Sequence, residues 1–487
     1  MKRNVLPLFM AITLAWQGFS FADSSVDQLI QKLEDKGILN AQEAAQLKDT
    51  ASTKEQESQQ TTFKSMLPDW ISGIKLTGDM RLRYQEQQRD VGTGNTNFSH
   101  DRGRVRARLN FEDQINDKVK FVFGIGTDGT GGNNGAGASM YNFSRSNNYS
   151  FGGNGGNTTN QPSGDFAKDF IVLNKAYGEY KPNADLTIDV GKMDNPFWEP
   201  SSVSGEKFLW DPNITPEGGA IKYQKKLNDY MTAYTNDAVF TIGDTGNSAE
   251  DVWMYANQVG VKGNPTEKTY YNLAGTWYDI SNPLHTIGGQ RSNDLTNSTL
   301  VGNCPSGEGT AFTNGSVTTS KECYKYSYNA LVGAIDLGIN DPFGEMLPAS
   351  INIPQIGVRG EVVRNPESKI PSDQKNGWEM GAYMGNSALN GWGTWQVSAD
   401  YRVLEQNAWM DIFPDFDQYT GDTDIKGIRT EIDIGLMKNV WMDINFFHYQ
   451  IYKPFVNSAL SYSGGNPQIT NAKNPENLFQ VDLNMKF

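Results

Sequence analysis

About sixteen stretches of this chain alternate apolar and polar residues, and the connections between them alternate between long and short. Alternation with period two is the pattern of a β-strand that has one apolar and one polar face. The short connections lie near 116–117, 182–184, 228–229, 263–266, 340–350, 386–392 and 437–439. The long connections lie near 88–101, 128–169, 193–217, 240–250, 280–326, 365–376, 405–425 and 452–476. In an up-and-down meander, alternate connections lie at the same end, so this order predicts long loops at one end and tight turns at the other.

The charge on the polar strand faces decides what the sheet encloses. Four arginines share one face of a single strand: Arg102, Arg104, Arg106 and Arg108. On a lipid-facing surface each would cost about 2–4 kcal/mol near the midplane, and four together would rival the stability of a typical domain, about 5–15 kcal/mol. We therefore expect the arginines to face water and the apolar residues between them to face lipid. The predicted fold is all-β: a transmembrane antiparallel up-and-down β-barrel of about 16 strands.

The final stretch, 478–487, is a strand of perfect alternation that ends on Phe487. This ending resembles the closing strand of Gram-negative outer-membrane barrels, whose terminal Phe is part of the signal read by the barrel-assembly machinery. The alternative is an edge strand of a soluble sandwich. A sandwich, however, has no reason to sort its long and short connections to opposite ends.

The amino terminus predicts export. Lys2 and Arg3 precede an apolar run, and Ser20, Phe21 and Ala22 form a small-x-small cleavage site. We therefore expect a signal peptide over 1–22, a periplasmic helical segment with a polar linker over 23–66, and the barrel over 67–487. An even number of strands would leave both termini of the mature chain on the periplasmic side of the outer membrane of a Gram-negative bacterium.

Cysteine usage and charge limit the other features. Cys304 and Cys323 lie in one long connection, and a pair of cysteines in an exported protein predicts a disulfide, with two free thiols as the alternative. The formal net charge of −14 argues against nucleic acid as a partner. The acidic segment 411–424 could hold Ca²⁺ through oxygen ligands, but it lacks the spacing and closing Glu of an EF-hand loop, so a solvated acidic loop is the simpler interpretation. We expect no other cofactor.

The sequence shows no pattern typical of a catalytic site, and one segment has the composition of a mobile loop. The three histidines, His100, His285 and His448, suggest no Ser/His/Asp grouping, so we do not expect an enzyme. The segment 129–160 is rich in Gly and Asn and is interpreted as a mobile surface loop.

Two motifs are similar to the "putative porin" group of Gram-negative outer-membrane proteins. The stretch KLEDKGILNAQEAAQL, 32–47, resembles the Lys-Gly-Ile-Leu plus Glu-Ala-x-x-Leu start of such proteins. The stretch GKMDNPFW, 191–198, followed by LWDPNITPEG, 209–218, is similar to their third-loop signature. The resemblance implies a trimer-forming or monomeric diffusion channel, surrounded by outer-membrane lipid and lipopolysaccharide. It does not name a solute.

The third long connection is the predicted constriction. It carries four large aromatic residues, which a loop in contact only with solvent would not need, and four prolines, which stiffen it. We expect it to fold into the barrel, with the side chains of Glu199, Glu206, Asp211 and Glu217 across the opening from Arg81, Arg83, Arg104, Arg106 and Arg108. A row of cations on one wall would attract anions. The alternatives are that the loop packs on its outer neighbours, and that Glu112, Asp79 and loop carboxylates neutralise the arginines, which then only brace the wall.

The sequence therefore predicts an outer-membrane channel through which small hydrophilic solutes diffuse passively, with a preference for anions. The alternative is a structural outer-membrane sleeve or adhesin that holds a partner protein.

Overall fold

Sixteen long antiparallel strands form the wall of the molecule. The computed structural model describes residues 73–90, 98–127, 147–151, 171–243, 251–281, 299–301, 310–314, 317–346, 353–453 and 474–487. The wall strands are β1 (Lys75–Arg89), β2 (Phe98–Asn116), β3 (Val119–Thr127), β4 (Ile171–Tyr180), β5 (Leu186–Lys192), β6 (Glu217–Asn228), β7 (Met231–Gly243), β8 (Val252–Gly263), β9 (Thr269–Ile280), β10 (Leu331–Asn340), β11 (Gln355–Arg364), β12 (Asn376–Gly385), β13 (Trp395–Leu404), β14 (Ile425–Met437), β15 (Val440–Ile451) and β16 (Glu476–Lys486).

The wall is a closed cylinder. Each strand pairs antiparallel with the next along the chain, and β16 pairs with β1 over the register Asp79↔Lys486 to Arg89↔Glu476. Closure leaves the cylinder without an exposed strand edge. A two-residue strand, Tyr149–Ser150, joins the same sheet by pairing with Arg104 and Val105 of β2. The predicted fold class, a closed antiparallel barrel of sixteen strands, is confirmed.

Side chains alternate between the two faces of the wall. On β10, Leu331, Ile335 and Leu337 point outward and are 51%, 37% and 37% exposed. On β13, by contrast, Asp400 and Arg402 point inward and are 1% exposed. On these strands the polar residues therefore face the lumen and the apolar residues face the outside, as the alternation predicts.

The connections are sorted between the two ends as predicted, although their lengths overlap. Lys486 N–H donates to the Asn439 carbonyl at the turn between β14 and β15, and Phe487 exchanges backbone hydrogen bonds with Gly78. The start of β1 and the end of β16 therefore lie at the end that carries the tight turns. The prediction that the connections at this end are always the shorter ones is wrong: the stretch 341–354 is longer than the connection 244–251 at the opposite end.

Several predictions fall outside the described residues. The signal peptide over 1–22, the helical segment and linker over 23–66, and Cys304 are among them. Within the described ranges, the helical elements are two 3₁₀ turns, Gly344–Met346 and Tyr419–Gly421. No helix of the described ranges is long and apolar enough to cross a membrane.

The connection between β9 and β10 contains a small antiparallel sheet of its own. Its strands are Thr299–Val301, Thr310–Asn314 and Val317–Tyr324, and the last of them pairs with the other two. Cys323 lies in this last strand, opposite Leu300.

We expect Cys323 to be disulfide-bonded to Cys304, because both lie in this one connection of an exported protein. Mass mapping of the unreduced protein should recover the two cysteine-containing peptides as a single cross-linked species that separates on reduction. Recovery of both peptides with free thiols would exclude the bridge.

Candidate functional site

The connection between β5 and β6, residues 193–216, leaves the wall at a pair of glycines. Gly191 and Gly218 are cross-strand partners with φ of +129° and +153°. A Cβ on Gly191 would lie 2.2 Å from the Ala176 carbonyl oxygen, and one on Gly218 would lie 2.1 Å from that of Val239. L-residues rarely adopt this backbone conformation, so both roots of the loop require glycine. We call residues 193–216 the first inward loop.

The first inward loop crosses the lumen to the far wall. Trp198 N–H donates to Gln258 Oε1 on β8 at 2.8 Å. Arg359 of β11 donates to the Ser201 carbonyl at 2.9 Å, and Ser204 N–H donates to Glu431 Oε1 of β14 at 3.1 Å. These strands lie well around the barrel from β5 and β6, so the loop folds inward as predicted, and the alternative of an outer loop packed on its neighbours is wrong.

A second inward loop, residues 405–424 between β13 and β14, meets the first in the lumen. The Trp210 ring centroid lies 4.5 Å from that of Phe413 and 6.0 Å from that of Trp409. Trp409 in turn packs edge-on against Tyr278 of β9 at 4.9 Å. The three indole and phenyl rings are 7% exposed or less. The interpretation of 411–424 as a solvated acidic loop is therefore wrong, and the apolar run around Trp409 is the sequence signal that indicates burial of this segment.

Hydrogen bonds join the two inward loops into one unit. Trp409 Nε1 donates to the Leu209 carbonyl at 2.9 Å, and Asp211 N–H donates to the Phe413 carbonyl at 2.7 Å. Gln418 Nε2 donates to the Lys207 carbonyl at 2.9 Å. The lumen is therefore narrowed by two loops that stabilise each other, whereas the sequence predicts one.

A wall of arginines faces the inward loops from β1 and β2. The register places Arg81 opposite Arg106 and Arg83 opposite Arg104. Like charges directly opposite each other repel, so such a pairing needs counter-charges. The ion pairs that supply them are Arg81 and Arg83 with Asp482, Arg83 and Arg104 with Asp417, and Arg106 and Arg108 with Asp79.

The prediction that carboxylates brace the arginines is therefore correct for Asp79 and for a loop acid, Asp417. Asp79 lies 3.0 Å from Arg106 and 2.8 Å from Arg108. Glu112 does not join them, because it pairs with Lys75 at 3.9 Å. Arg83 is held most tightly, by two 2.7 Å hydrogen bonds to Asp482 of β16 and by Asp417.

A cavity of about 200 Å³ lies between this wall and the inward loops. Arg81, Arg106 and Arg108 line its wall side, and Glu206, Asp415 and Asp417 line its loop side. Opposite charges therefore face each other across an opening. Arg83 and Arg104 do not line it; they lie against Asp417 and the segment 147–151.

A second lumen cavity, of about 270 Å³, lies against another part of the first inward loop. Trp198 of that loop faces Lys222, Lys262 and Tyr234 of the wall there. Both cavities thus combine inward cations with polar or aromatic groups, as in a passage for hydrophilic solutes.

Only one of the four carboxylates predicted to face the arginines does so, and it is Glu206. Glu199 instead lies 3.9 Å from Lys207 of its own loop, and burial, assisted by the Glu379 carboxylate, raises its pKa to about 7. Asp211 accepts hydrogen bonds from Asn213 and from Phe416 N–H, so it braces the loop junction. The prediction for these two residues is wrong because a crossing loop turns successive side chains in different directions.

Glu217 is a further correction. It is the first residue of β6, its side chain is 64% exposed, and it pairs with Lys192 at 2.9 Å. It therefore belongs to the wall at the root of the first inward loop and not to the opening.

The structure also adds residues that the sequence did not single out. Asp415 and Asp417 supply two of the three loop carboxylates at the opening, and Asp482 neutralises Arg81 and Arg83. Asn148, in the segment predicted to be a mobile surface loop, accepts a 2.7 Å hydrogen bond from Arg81 and is buried. That prediction is wrong for residues 147–151; the rest of 129–160 lies outside the described residues.

The loop carboxylates at the opening influence one another. Burial raises the pKa of Asp415 to about 6, and the neighbouring Asp211 carboxylate adds to the shift. Burial also raises the pKa of Glu206 well above its usual range, with Asp415 contributing. One carboxylate oxygen from each of Glu206, Asp415 and Asp417 lies within 4.8 Å of the others, so this group has the oxygen-only donors that could hold a hard metal ion.

Comparison with known proteins identifies one family. The family model described as "Putative porin" matches residues 87–315 and 326–487. A search of curated proteins gave no match.

Solved structures with a similar course of the chain are outer-membrane proteins. They include Pseudomonas putida OprB, with a TM-score of 0.47 and 9% identity over 85% of this chain and 94% of that chain. The porin of Rhodopseudomonas blastica has a TM-score of 0.38 and 10% identity over 85% of this chain and 100% of that chain. The trimer form of OmpT, an outer-membrane protein of Vibrio cholerae, has a TM-score of 0.40 and 9% identity over 85% of this chain and 100% of that chain. Because these TM-scores lie below 0.5, the family match carries the assignment.

Proposed function

The chain belongs to the "Putative porin" family and forms an outer-membrane channel, and we propose that small hydrophilic solutes diffuse passively through it with a preference for anions. A channel, not an enzyme, is what the family and the fold indicate. The lumen supports this solute class, because it is lined by inward polar and charged side chains and is narrowed by two loops. Sixteen strands enclose an aqueous passage, and the inward loops set its width.

The observation that carries the anion preference is the charge of the arginine wall. Five arginines, 81, 83, 104, 106 and 108, form ion pairs with three carboxylates, Asp79, Asp417 and Asp482, so these paired groups carry an excess of two positive charges (5 − 3). Glu206 and Asp415 also face the opening, but burial raises the pKa of both and favours their neutral forms, so they offset the excess only in part. In the second cavity Lys262 adds a further cation, whereas Lys222 is paired with Asp189. Fixed charge of one sign on a narrow lumen wall concentrates mobile ions of the other sign.

Planar-bilayer recording tests this function. The purified full-length protein should form discrete ohmic channels, and a gradient of KCl should give a reversal potential of the sign that shows a higher permeability for Cl⁻ than for K⁺. Folded protein that inserts without conductance would remove the channel and favour the sleeve or adhesin. Conductance with a preference for K⁺ would leave the channel but remove the anion preference.

The alternative function, a structural sleeve or adhesin that holds a partner protein, has weaker support. A partner threaded through the lumen would need the space that the first and second inward loops fill. The three-stranded sheet over 299–324 could be presented by the outer connection as an adhesive surface, so cell-binding assays on a strain lacking that sheet separate this role from conduction.

A further inference from the structure

Three buried carboxylates meet where the two inward loops join. Glu206 belongs to the first inward loop, and Asp415 and Asp417 belong to the second. Their exposed fractions are 6%, 3% and 7%, and one oxygen of each lies within 4.8 Å of the others. Three negative charges at this spacing repel one another strongly in a buried site unless protons or cations neutralise them.

Among the described residues, the ion pairs made with this group reach only Asp417, and Arg429 lies near Glu206 without pairing with it. Arg83 binds Asp417, and Arg104 lies 4.0 Å from the same carboxylate. Asp415 accepts a hydrogen bond from Asp417 N–H at 2.8 Å. The Glu206 carboxyl, in contrast, meets the Asp415 carboxyl, and its Oε2 is buried without an N–H donor among the described residues. A buried carboxyl oxygen without a donor is unusual in folded proteins and indicates that something else completes the site.

We propose that Glu206, Asp415 and Asp417 bind one calcium ion, which ties the first inward loop to the second. All donors are carboxylate oxygens, the ligand type that hard cations prefer, and no nitrogen or sulfur ligand of the kind that favours Zn²⁺ belongs to the group. Calcium tolerates irregular arrangements of six to eight oxygens, about the number that three carboxylates and several waters supply, whereas magnesium demands a near-ideal octahedron.

The adjoining cavity makes the site accessible. The same three carboxylates line the cavity of about 200 Å³ in front of Arg81, Arg106 and Arg108. The cavity has room for the water ligands that calcium requires and for the ion to enter from the lumen. The positive charge of the wall should slow this entry.

Calorimetry tests the binding directly. The mature full-length protein, freed of lipopolysaccharide and held in detergent, is depleted with EDTA and titrated with CaCl₂ or MgCl₂. We expect one saturable calcium site per chain and weaker binding of magnesium. The double variant Glu206→Gln/Asp415→Asn should lose at least about tenfold in calcium affinity, as expected when two ionic ligands are replaced by neutral ones. Asp417 is left unchanged because it also binds Arg83.

A matched control distinguishes the site from general surface charge. Asp194→Asn removes a carboxylate from the same loop, but this side chain is 64% exposed and pairs with Lys175. It should bind calcium like the wild type. If the wild type binds no calcium, or if the double variant binds it equally well, the proposal is wrong.

Thermal unfolding separates a metal site from a merely structural cluster. With calcium present, the wild type should unfold at a higher temperature than the double variant. In EDTA the order should reverse, because the variant lacks the repulsion between carboxylates. The proposal is wrong if the double variant unfolds at a lower temperature than the wild type in both conditions. It is also wrong if lowering the pH raises the unfolding temperature of the wild type and calcium does not. If the double variant does not fold, Glu206→Gln alone is measured in the same way.

The consequence for transport rests on the proposed function. A bound calcium ion changes the loop side of the opening from acidic to nearly neutral, so anion preference should be higher in CaCl₂ than in EDTA, and the double variant should show no such difference. Because binding is measured separately, loss of this effect with binding intact would count against the proposed anion pathway and not against the metal site.

Discussion

Removing the inward parts of both loops is expected to raise the single-channel conductance several-fold. The loops pack on each other through Trp210, Trp409 and Phe413. Truncating one such buried ring to alanine lowers the free energy of unfolding by about 3–5 kcal/mol. Replacing 199–212 alone with a short Gly/Ser link should therefore raise conductance less than replacing 199–212 and 408–420 together, because the second inward loop keeps its ion pair with Arg83. Conductance in 1 M KCl measures the change.

The loop variants need a control for general damage to the barrel. Shortening the connection 341–354, which lies at the opposite end and whose Met346 is 84% exposed, should leave conductance unchanged. Equal conductance of the wild type and the folded double-loop variant would show that the narrowest part of the passage lies elsewhere.

Neutralising the wall of the opening is expected to abolish the preference for anions. In Arg81→Gln/Arg106→Gln/Arg108→Gln, combined with Asp79→Asn so that no carboxylate is left unpaired, the wall loses two net positive charges (3 − 1). A unit charge 4 Å from a passing ion is worth about 1 kcal/mol in bulk-like water, which is about a fivefold effect on permeability. The ratio of chloride to potassium permeability should therefore fall by about an order of magnitude or more.

The comparison variant for the wall is Arg364→Gln. Arg364 is at the end of β11, is exposed, and lies opposite the outward Leu331, so its charge does not enter the lumen. Its selectivity should equal that of the wild type.

The wild-type preference for anions should also shrink between 0.1 M and 1 M salt, because the Debye length falls from about 10 Å to about 3 Å. Unchanged selectivity in the wall variant would place the filter in the second cavity, beside Lys222 and Lys262.

The fold was readable from the sequence because its strongest signal is physical and local. Alternation along each strand reports which face meets lipid, and the cost of lipid-exposed arginine fixes which face meets water. The inward turn of the first inward loop was readable for the same reason, since four large aromatic residues cannot all be left in solvent. The strands around the aromatic cluster were harder to read. Met254 of β8 and Phe240 of β7 point into the lumen and are nearly inaccessible, so these strands are apolar on both faces.

The composition of the opening could not be read in the same way. Glu206 reaches it while Glu199, seven residues earlier, lies near Lys207 and Glu379, and only the course of the backbone decides between them. Asp417 was visible as part of an acidic run but gave no sign that it meets Arg83 from across the lumen. The position of Asp482, in contrast, is predictable from the fold, because once β16 closes on β1 the polar face of the last strand has to lie beside the arginines of the first.

The pairing of Arg83 with Asp482 spans 399 positions of the chain. Until β16 arrives, the adjacent first and second strands hold Arg83 against Arg104 and Arg81 against Arg106 without the carboxylate that neutralises two of them. An unclosed sheet is therefore destabilised both by its open strand edges and by its unbalanced charge. The entropy lost in joining such distant segments makes closure slow. Assembly of this barrel should thus be an all-or-none event in which the last strand made is the one that makes the first strand stable.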